Sequence, residues 1–145
     1  MAVAAASGGL AAACSQQPAA LPEAKCGSAV THFLTAGTQL LSARHGALTC
    51  FATAARHCRA ASLGVTEMGV DTGTNFVFTI DPGGSPCRVT ETSQDYSANF
   101  GGSTGPLVTR SCRLTGVTGA GVTLRCGGQT VLIPAKVSAP TPLPS

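Results

Sequence analysis

The residues of this sequence best suited to chemistry are its seven cysteines. Thiols bind metal ions, act as nucleophiles or pair as disulfides, and their environment and spacing decide which. A zinc site built from Cys50, Cys58, His45 and His57 is not expected, because no C-x-x-C pair occurs and the spacings are long. A thiol nucleophile at Cys58 is not expected either, since no acid lies in the same helical segment to orient His57.

Six of the cysteines fit a disulfide framework once the first is set aside. Cys14 ends the stretch MAVAAASGGLAAAC, whose small apolar residues are typical of an export signal. An exported chain meets oxidising conditions, in which thiols pair. We therefore expect three disulfides among the other six, namely Cys26, Cys50, Cys58, Cys87, Cys112 and Cys126.

Helix geometry constrains the pairing of these six. Cys50 and Cys58 lie on one predicted helix about 12 Å apart along its axis, beyond the Cα separation of roughly 4.4 to 6.8 Å that a disulfide tolerates. One should therefore bond back to Cys26 and the other forward to Cys87. Cys112 and Cys126 flank a Gly-rich hairpin and should pair with each other. Six cysteines allow 15 connectivities, and sequence alone does not select one.

The N-terminus carries a resemblance of its own. LAAAC followed by SQQP resembles the lipobox of bacterial lipoproteins, which implies that Cys14 is acylated and becomes the mature N-terminus. The alternative is an Ala-rich arm in which Cys14 is a spare thiol. Residues 15–25, with two prolines and two glutamines, read as a tether to the folded domain.

Two motifs resemble catalytic ones without completing a site. Residues 101–105 match G-x-S-x-G, but no His follows His57 and no acid follows Asp95, so we expect a loop. Val70-Asp71-Thr72-Gly73 resembles the D-T-G motif of aspartic proteases, where two aspartates share a proton. A single copy could act only in a homodimer, so we expect Asp71 to be a turn residue and keep a homodimeric hydrolase as an alternative.

Three arginines form a candidate binding cluster. Arg88, Arg110 and Arg125 lie on separate predicted strands, each one or two residues from a cysteine. Together they could bind the carboxylates or phosphates of an anionic polymer. The alternative is scattered, solvated arginines in a chain of net charge +3. Nucleic acid is not expected, because no aromatic residues are interleaved with the basic ones.

Periodicity predicts an α+β fold. Helical spacing over residues 26–41 and 47–61 predicts one or two N-terminal helices, and alternation from Leu63 onward predicts an antiparallel sheet of about five to six strands. The helices should pack on the sheet. One domain is expected over residues 26–134, followed by a Pro-rich tail at 135–145.

The central stretch of the chain carries a second resemblance. Residues 48–134, through the elements CF-x6-C and G-V-D-x-G-T, are similar to small secreted and lipoprotein domains of high-GC bacteria. The resemblance implies an envelope location and no particular activity.

These patterns together predict a non-enzymatic, monomeric, extracytoplasmic domain that uses no cofactor or metal. It would bind an envelope component or anionic polymer and touch the membrane only through an N-terminal lipid. A ligand carrier using the apolar face of Phe76, Phe78 and Ile80 is an alternative.

Overall fold

The computed structural model describes residues 20–32, 40–97 and 102–138. Cys14, residues 15–19 of the predicted tether and residues 139–145 of the predicted tail lie outside these ranges. The described chain contains one helix and eight strands: β1 Ser28–Thr31, β2 Leu40–Ala43, α1 Ala47–Arg56, β3 Ala61–Met68, β4 Thr72–Asp81, β5 Arg88–Ser97, β6 Gly102–Thr118, β7 Gly121–Cys126 and β8 Gln129–Pro134.

All eight strands belong to one sheet, in the order β2-β1-β3-β4-β5-β6-β7-β8. Neighbouring strands are antiparallel except for β1 and β3, which run parallel. The sheet curls so far that the segment after β8 reaches the opposite edge, where the Ser138 amide donates to the Leu40 carbonyl at 2.9 Å. Helix α1 packs against β1, β3, β6 and β7 and so covers the inner face of the curl.

The α+β prediction is wrong. The segment predicted as a first helix supplies β1 and β2, and within the described ranges α1 is the single helix. In β1 the side chains of Ala29 and Thr31 are buried while Ser28 is exposed, which is a period of two. The β-branched Val30 and Thr31 favour an extended chain, and pairing with β3 stabilises that conformation. The sheet also has eight strands where five to six were expected.

Strands β3 to β8 occur where alternation predicts them, but β6 is longer than expected. Residues 102–105, predicted as a loop, are part of this 17-residue strand. A shift in the β5–β6 register accommodates Gly105 and Pro106, and the Gln94 side chain donates to the Gly105 carbonyl at 3.2 Å. Pro106 is tolerated because this part of β6 lies before the stretch that pairs with β7.

Three disulfides cross-link the fold. They join Cys26 to Cys50, Cys58 to Cys87 and Cys112 to Cys126. Cys50 and Cys58 thus bond to different segments, and the predicted hairpin pairing is present. The bridges close loops with sequence separations of 24, 29 and 14 residues. Loops of this length give about 3 to 4 kcal/mol each in the chain-entropy account.

The apolar core lies between α1 and the sheet. Phe51 of α1 is fully buried in one cluster with Leu63 of β3 and Phe78 of β4. Ile80 is buried beside Phe78, and the Phe76 ring stacks on Phe78 with centroids 6.1 Å apart. This face is therefore packed by the protein's own helix. Among the described residues, no helix has the length and apolar character needed to cross a bilayer.

The outer face of β3 is covered by the segment that precedes β1. The Lys25 amide donates to the Ser62 hydroxyl at 2.9 Å, and that hydroxyl donates to the Glu23 carbonyl at 2.6 Å. Ala24 lies against Gly64. The last residues of the predicted tether therefore contact the sheet.

Candidate anion-binding site

Three arginines stand side by side on the outer face of the sheet. Arg88 of β5 is directly opposite Arg113 of β6, and Arg113 is directly opposite Arg125 of β7. Residues paired in this way share one face of a sheet. All three side chains are exposed. We call Arg88, Arg113 and Arg125 the arginine row.

The row faces outward because each member adjoins a buried cysteine. Cys87 precedes Arg88, Cys112 precedes Arg113 and Cys126 follows Arg125. The three cysteines are 7%, 3% and 0% exposed. Since successive side chains point to opposite faces, cysteines on the inner face place arginines on the outer one. Two disulfides, Cys58–Cys87 and Cys112–Cys126, therefore fix the backbone beneath the row.

Arg110 lies on the other face. It precedes Cys112 by two residues and is paired across the sheet with Glu91. Its Nε and Nη2 atoms both donate to Glu91 Oε1, at 2.9 and 2.6 Å. The Glu91 side chain is only 2% exposed and that of Arg110 is 38% exposed. Arg110 thus neutralises a buried carboxylate, and the structure separates it from Arg88 and Arg125.

The signal for the row was present in the sequence. Arg88, Arg113 and Arg125 are immediate neighbours of cysteines, whereas Arg110 is two residues from one. Because faces alternate along a strand, an immediate neighbour of an inward cysteine points out and a residue two away points in. Proximity to cysteine alone does not separate these cases.

The row lies in a surface depression of about 760 Å³. The 82–87 loop and the Gly127–Gly128 turn contribute to its walls, with Ser111 beside the arginines. Gly127 and Gly128 have positive φ angles of 54° and 89°, as a two-residue hairpin turn requires. We call this depression the arginine groove.

Of the residues that the structure describes, Asp81 is the one carboxylate lining the arginine groove. It stands opposite Arg88 in the β4–β5 ladder, yet its Oδ2 accepts a hydrogen bond from the Thr90 hydroxyl at 3.0 Å. Within the part of the chain that the structure describes, no member of the arginine row forms an ion pair or a side-chain hydrogen bond. The groove therefore presents three unpaired guanidinium groups.

Fold stability does not account for this arrangement. Like charges directly opposite each other in a sheet are unfavourable by roughly 0.2 to 1 kcal/mol per pair. The row contains two such pairs, Arg88–Arg113 and Arg113–Arg125. Bound anions would remove this repulsion and occupy the free donors.

The other candidate residues lie apart from the groove. Asp71 is exposed in the connection between β3 and β4, as expected of a turn residue. Gly73 of the same motif lies within β4, against the Tyr96 ring. Ser103 of the G-x-S-x-G match is within β6, paired with Tyr96. These positions lie toward the end of the β4–β5–β6 ladder remote from the arginine row.

Within the described ranges, the cysteines that could ligate a metal ion are bonded to one another, and the buried carboxylate beside two of them already has a partner. Cys50 and Cys58, considered above as zinc ligands, are each bonded to another cysteine. Glu91 lies with Cys112 and Cys126 in a group whose ligand atoms are within 4.8 Å. However, these two sulfurs are joined to each other, and Glu91 already accepts from Arg110.

Comparison with known proteins returns no match: no family model, curated protein sequence or solved structure matches this chain.

Proposed function

We propose that this chain is a non-enzymatic binding domain that holds an anionic polymer of the bacterial envelope in the arginine groove. The observation that carries the proposal is the arginine row, which is in register, exposed and unpaired among the described residues. A row of like charges disfavours the free protein slightly and favours the complex with an anion.

The chemistry of the groove suits carboxylate or phosphate. Guanidinium groups present planar forks of N–H donors that match both anions. The backbone that carries Arg88, Arg113 and Arg125 is held by two disulfides, so little backbone order must be gained on binding. Such preorganisation raises affinity without additional contacts.

The three disulfides indicate an oxidising, extracytoplasmic compartment. Within that compartment we assign the domain to the cell envelope, anchored by a lipid on Cys14 through the segment 15–25. The support is the lipobox-like LAAAC sequence. Intact-mass measurement of chain purified from native membranes should give a mass above that of the unmodified mature polypeptide. An unmodified Cys14 in the full-length chain would refute the anchor.

The test of binding compares two variants of equal charge. Arg88, Arg113 and Arg125 are changed to Gln in the first, and in the matched control the exposed Arg44, Arg56 and Lys136, none of which lines the groove, are changed to Gln. Calorimetry with polygalacturonate and with polyphosphate measures affinity at low and moderate salt. Charged hydrogen bonds of this kind correspond to at least about tenfold in affinity, so the row variant should lose that much or more.

The affinity of the control variant should lie within about threefold of the wild-type affinity at the same salt concentration. The small difference reflects the loss of long-range electrostatic attraction. Equal losses in both variants would mean that net charge, and not the groove, attracts the polymer. Wild-type chain that binds neither polymer would refute the proposed function.

A further inference from the structure

The arginine groove also contains features that discriminate among anions. We infer that its ligand is a linear acidic polysaccharide, with a carboxylate on successive sugars, that lies across strands β5, β6 and β7. This inference rests on the proposed function and names the ligand class of the same site.

The spacing of the row fits a repeating anion. Neighbouring strands are about 4.8 Å apart, so the row places three cations at nearly regular intervals over roughly 10 Å. A chain of linked sugar rings that each bear a carboxylate presents charges at a comparable interval. A single phosphate or carboxylate could engage only part of the row.

Asp81 disfavours a ligand that has only acceptors. It continues the same register beyond Arg88, so the sequence across the sheet is Asp81, Arg88, Arg113, Arg125 and then Thr130 on β8. A carboxylate accepts hydrogen bonds but repels phosphate. Sugar hydroxyls can donate to Asp81 while the sugar carboxylates accept from the arginines, whereas polyphosphate offers no comparable donor.

The rest of the lining suits a sugar chain as well. The exposed Ser111 lines the groove, and the exposed Thr130 lies beyond the lining, opposite Arg125; both hydroxyls can pair with sugar hydroxyls. Exposed Pro82 and Pro86 line one wall and present apolar rings to the C–H faces of a sugar. At Gly83 and Gly128 even an added Cβ would meet nothing within 4 Å, so these walls leave room for a chain to extend beyond the groove.

The test measures the affinity of the full chain for oligogalacturonates of one to six units by calorimetry. Affinity should rise at least about tenfold from one unit to three, as more of the row is engaged, and change little beyond four or five. Polyphosphate and oligoglutamate of matched charge are compared at the same salt concentration and should bind more weakly.

An Asp81→Ala variant separates hydroxyl recognition from charge. It should lower the affinity for trigalacturonate by about threefold or more and raise the affinity for polyphosphate, because it removes both an acceptor and a repulsive charge. A Glu23→Ala variant, which alters an exposed acid outside the groove lining, should change neither.

The outcomes distinguish the inference from the proposed function. Polyphosphate that binds as tightly as oligogalacturonate, or an affinity that does not depend on oligomer length, overturns the inference and leaves an anion-binding groove. Tighter binding of oligoglutamate overturns it in favour of an acidic peptide. Absence of binding to all three polymers overturns both.

Discussion

Two arginines three residues apart on β6 should respond in opposite ways to the same substitution. Arg110→Met removes the guanidinium that pairs with buried Glu91, whereas Arg113→Met removes the middle charge of the arginine row. Methionine keeps much of the apolar stem in both cases, so the comparison isolates the charged group.

The size of the stability loss at Arg110 depends on how exposed its side chain is. Removing one partner of a fully buried ion pair costs about 3 to 5 kcal/mol. The Arg110 side chain is 38% exposed, so solvent already screens part of the interaction and we expect a loss of about 2 kcal/mol in the free energy of unfolding. Arg113→Met relieves repulsion in two cross-strand pairs, so it should leave that free energy unchanged or raise it by about 0.5 kcal/mol.

Urea denaturation of the oxidised protein, followed by far-ultraviolet circular dichroism, measures both effects. With an m-value of about 1 to 2 kcal/mol/M, Arg110→Met should lower the midpoint by about 1 to 2 M. In a Glu91→Leu and Arg110→Met double variant the uncompensated carboxylate is gone, so stability should return to within about 1 kcal/mol of the wild type.

A free energy of unfolding for Arg110→Met within about 0.5 kcal/mol of the wild type, the range of an ordinary surface substitution, would contradict the stabilising role of the Arg110–Glu91 pair. A loss above about 1 kcal/mol for Arg113→Met would contradict the repulsion within the arginine row. The second result would mean that Arg113 stabilises the fold, and that its guanidinium is not free to bind a ligand.

Two further changes test the fold, one at the disulfide beneath the groove and one at the remote end of the sheet. Replacing Cys112 and Cys126 together by Ala opens a loop with a sequence separation of 14 residues and should cost about 3 kcal/mol in the same urea assay; a loss below about 1 kcal/mol would show that the hairpin is stable without its bridge. Gly73→Ala should cost about 1 to 3 kcal/mol, because the added methyl group overlaps the Glu67 carbonyl and the Tyr96 ring. Gly116→Ala, where the methyl group meets nothing within 4 Å, is the matched control and should lie within about 0.5 kcal/mol of the wild type. Equal losses at the two glycines would contradict the Tyr96 packing.

The later strands could be predicted from the sequence because their signals are local. Alternation places Phe76, Phe78 and Ile80 on one face, and turn residues such as Pro82 and Gly83 separate β4 from β5. The Cys112–Cys126 pairing can be predicted because the two cysteines flank a Gly-rich hairpin and lie opposite each other in it. Each of these features depends on residues close together in the chain.

The first strands could not be predicted in this way because their partners are distant. Val30 of β1 pairs with Thr66 of β3 in parallel, and β1 also pairs with β2. Apolar residues over 26–41 fit helical spacing equally well, and only the contact with β3 decides between the two. Tertiary pairing overrides the local pattern in this segment.

The sequence identifies part of the candidate site. Arg88 and Arg125 can be identified because they adjoin cysteines on different strands, but proximity to a cysteine points to Arg110 as well, whereas the register places Arg113 in the row. The alternation of side chains along β6 distinguishes the two, since Arg110 lies on the same face as Cys112 and Arg113 lies on the opposite face. The partner of Arg110, Glu91, lies 19 residues away and becomes apparent only from the β5–β6 register.

The most direct test of the central claim is an NMR titration that observes the arginine side chains individually. In the Nε–Hε spectrum of 15N-labelled chain, added trigalacturonate or polyphosphate should shift the signals of Arg88, Arg113 and Arg125 with one common saturation curve. The signals of Arg110, bonded to Glu91, and of Arg56 on the helix should remain in place. Shifts confined to Arg56 or Arg110, or no shift in the arginine row, would contradict the assignment of the arginine groove as an anion-binding site.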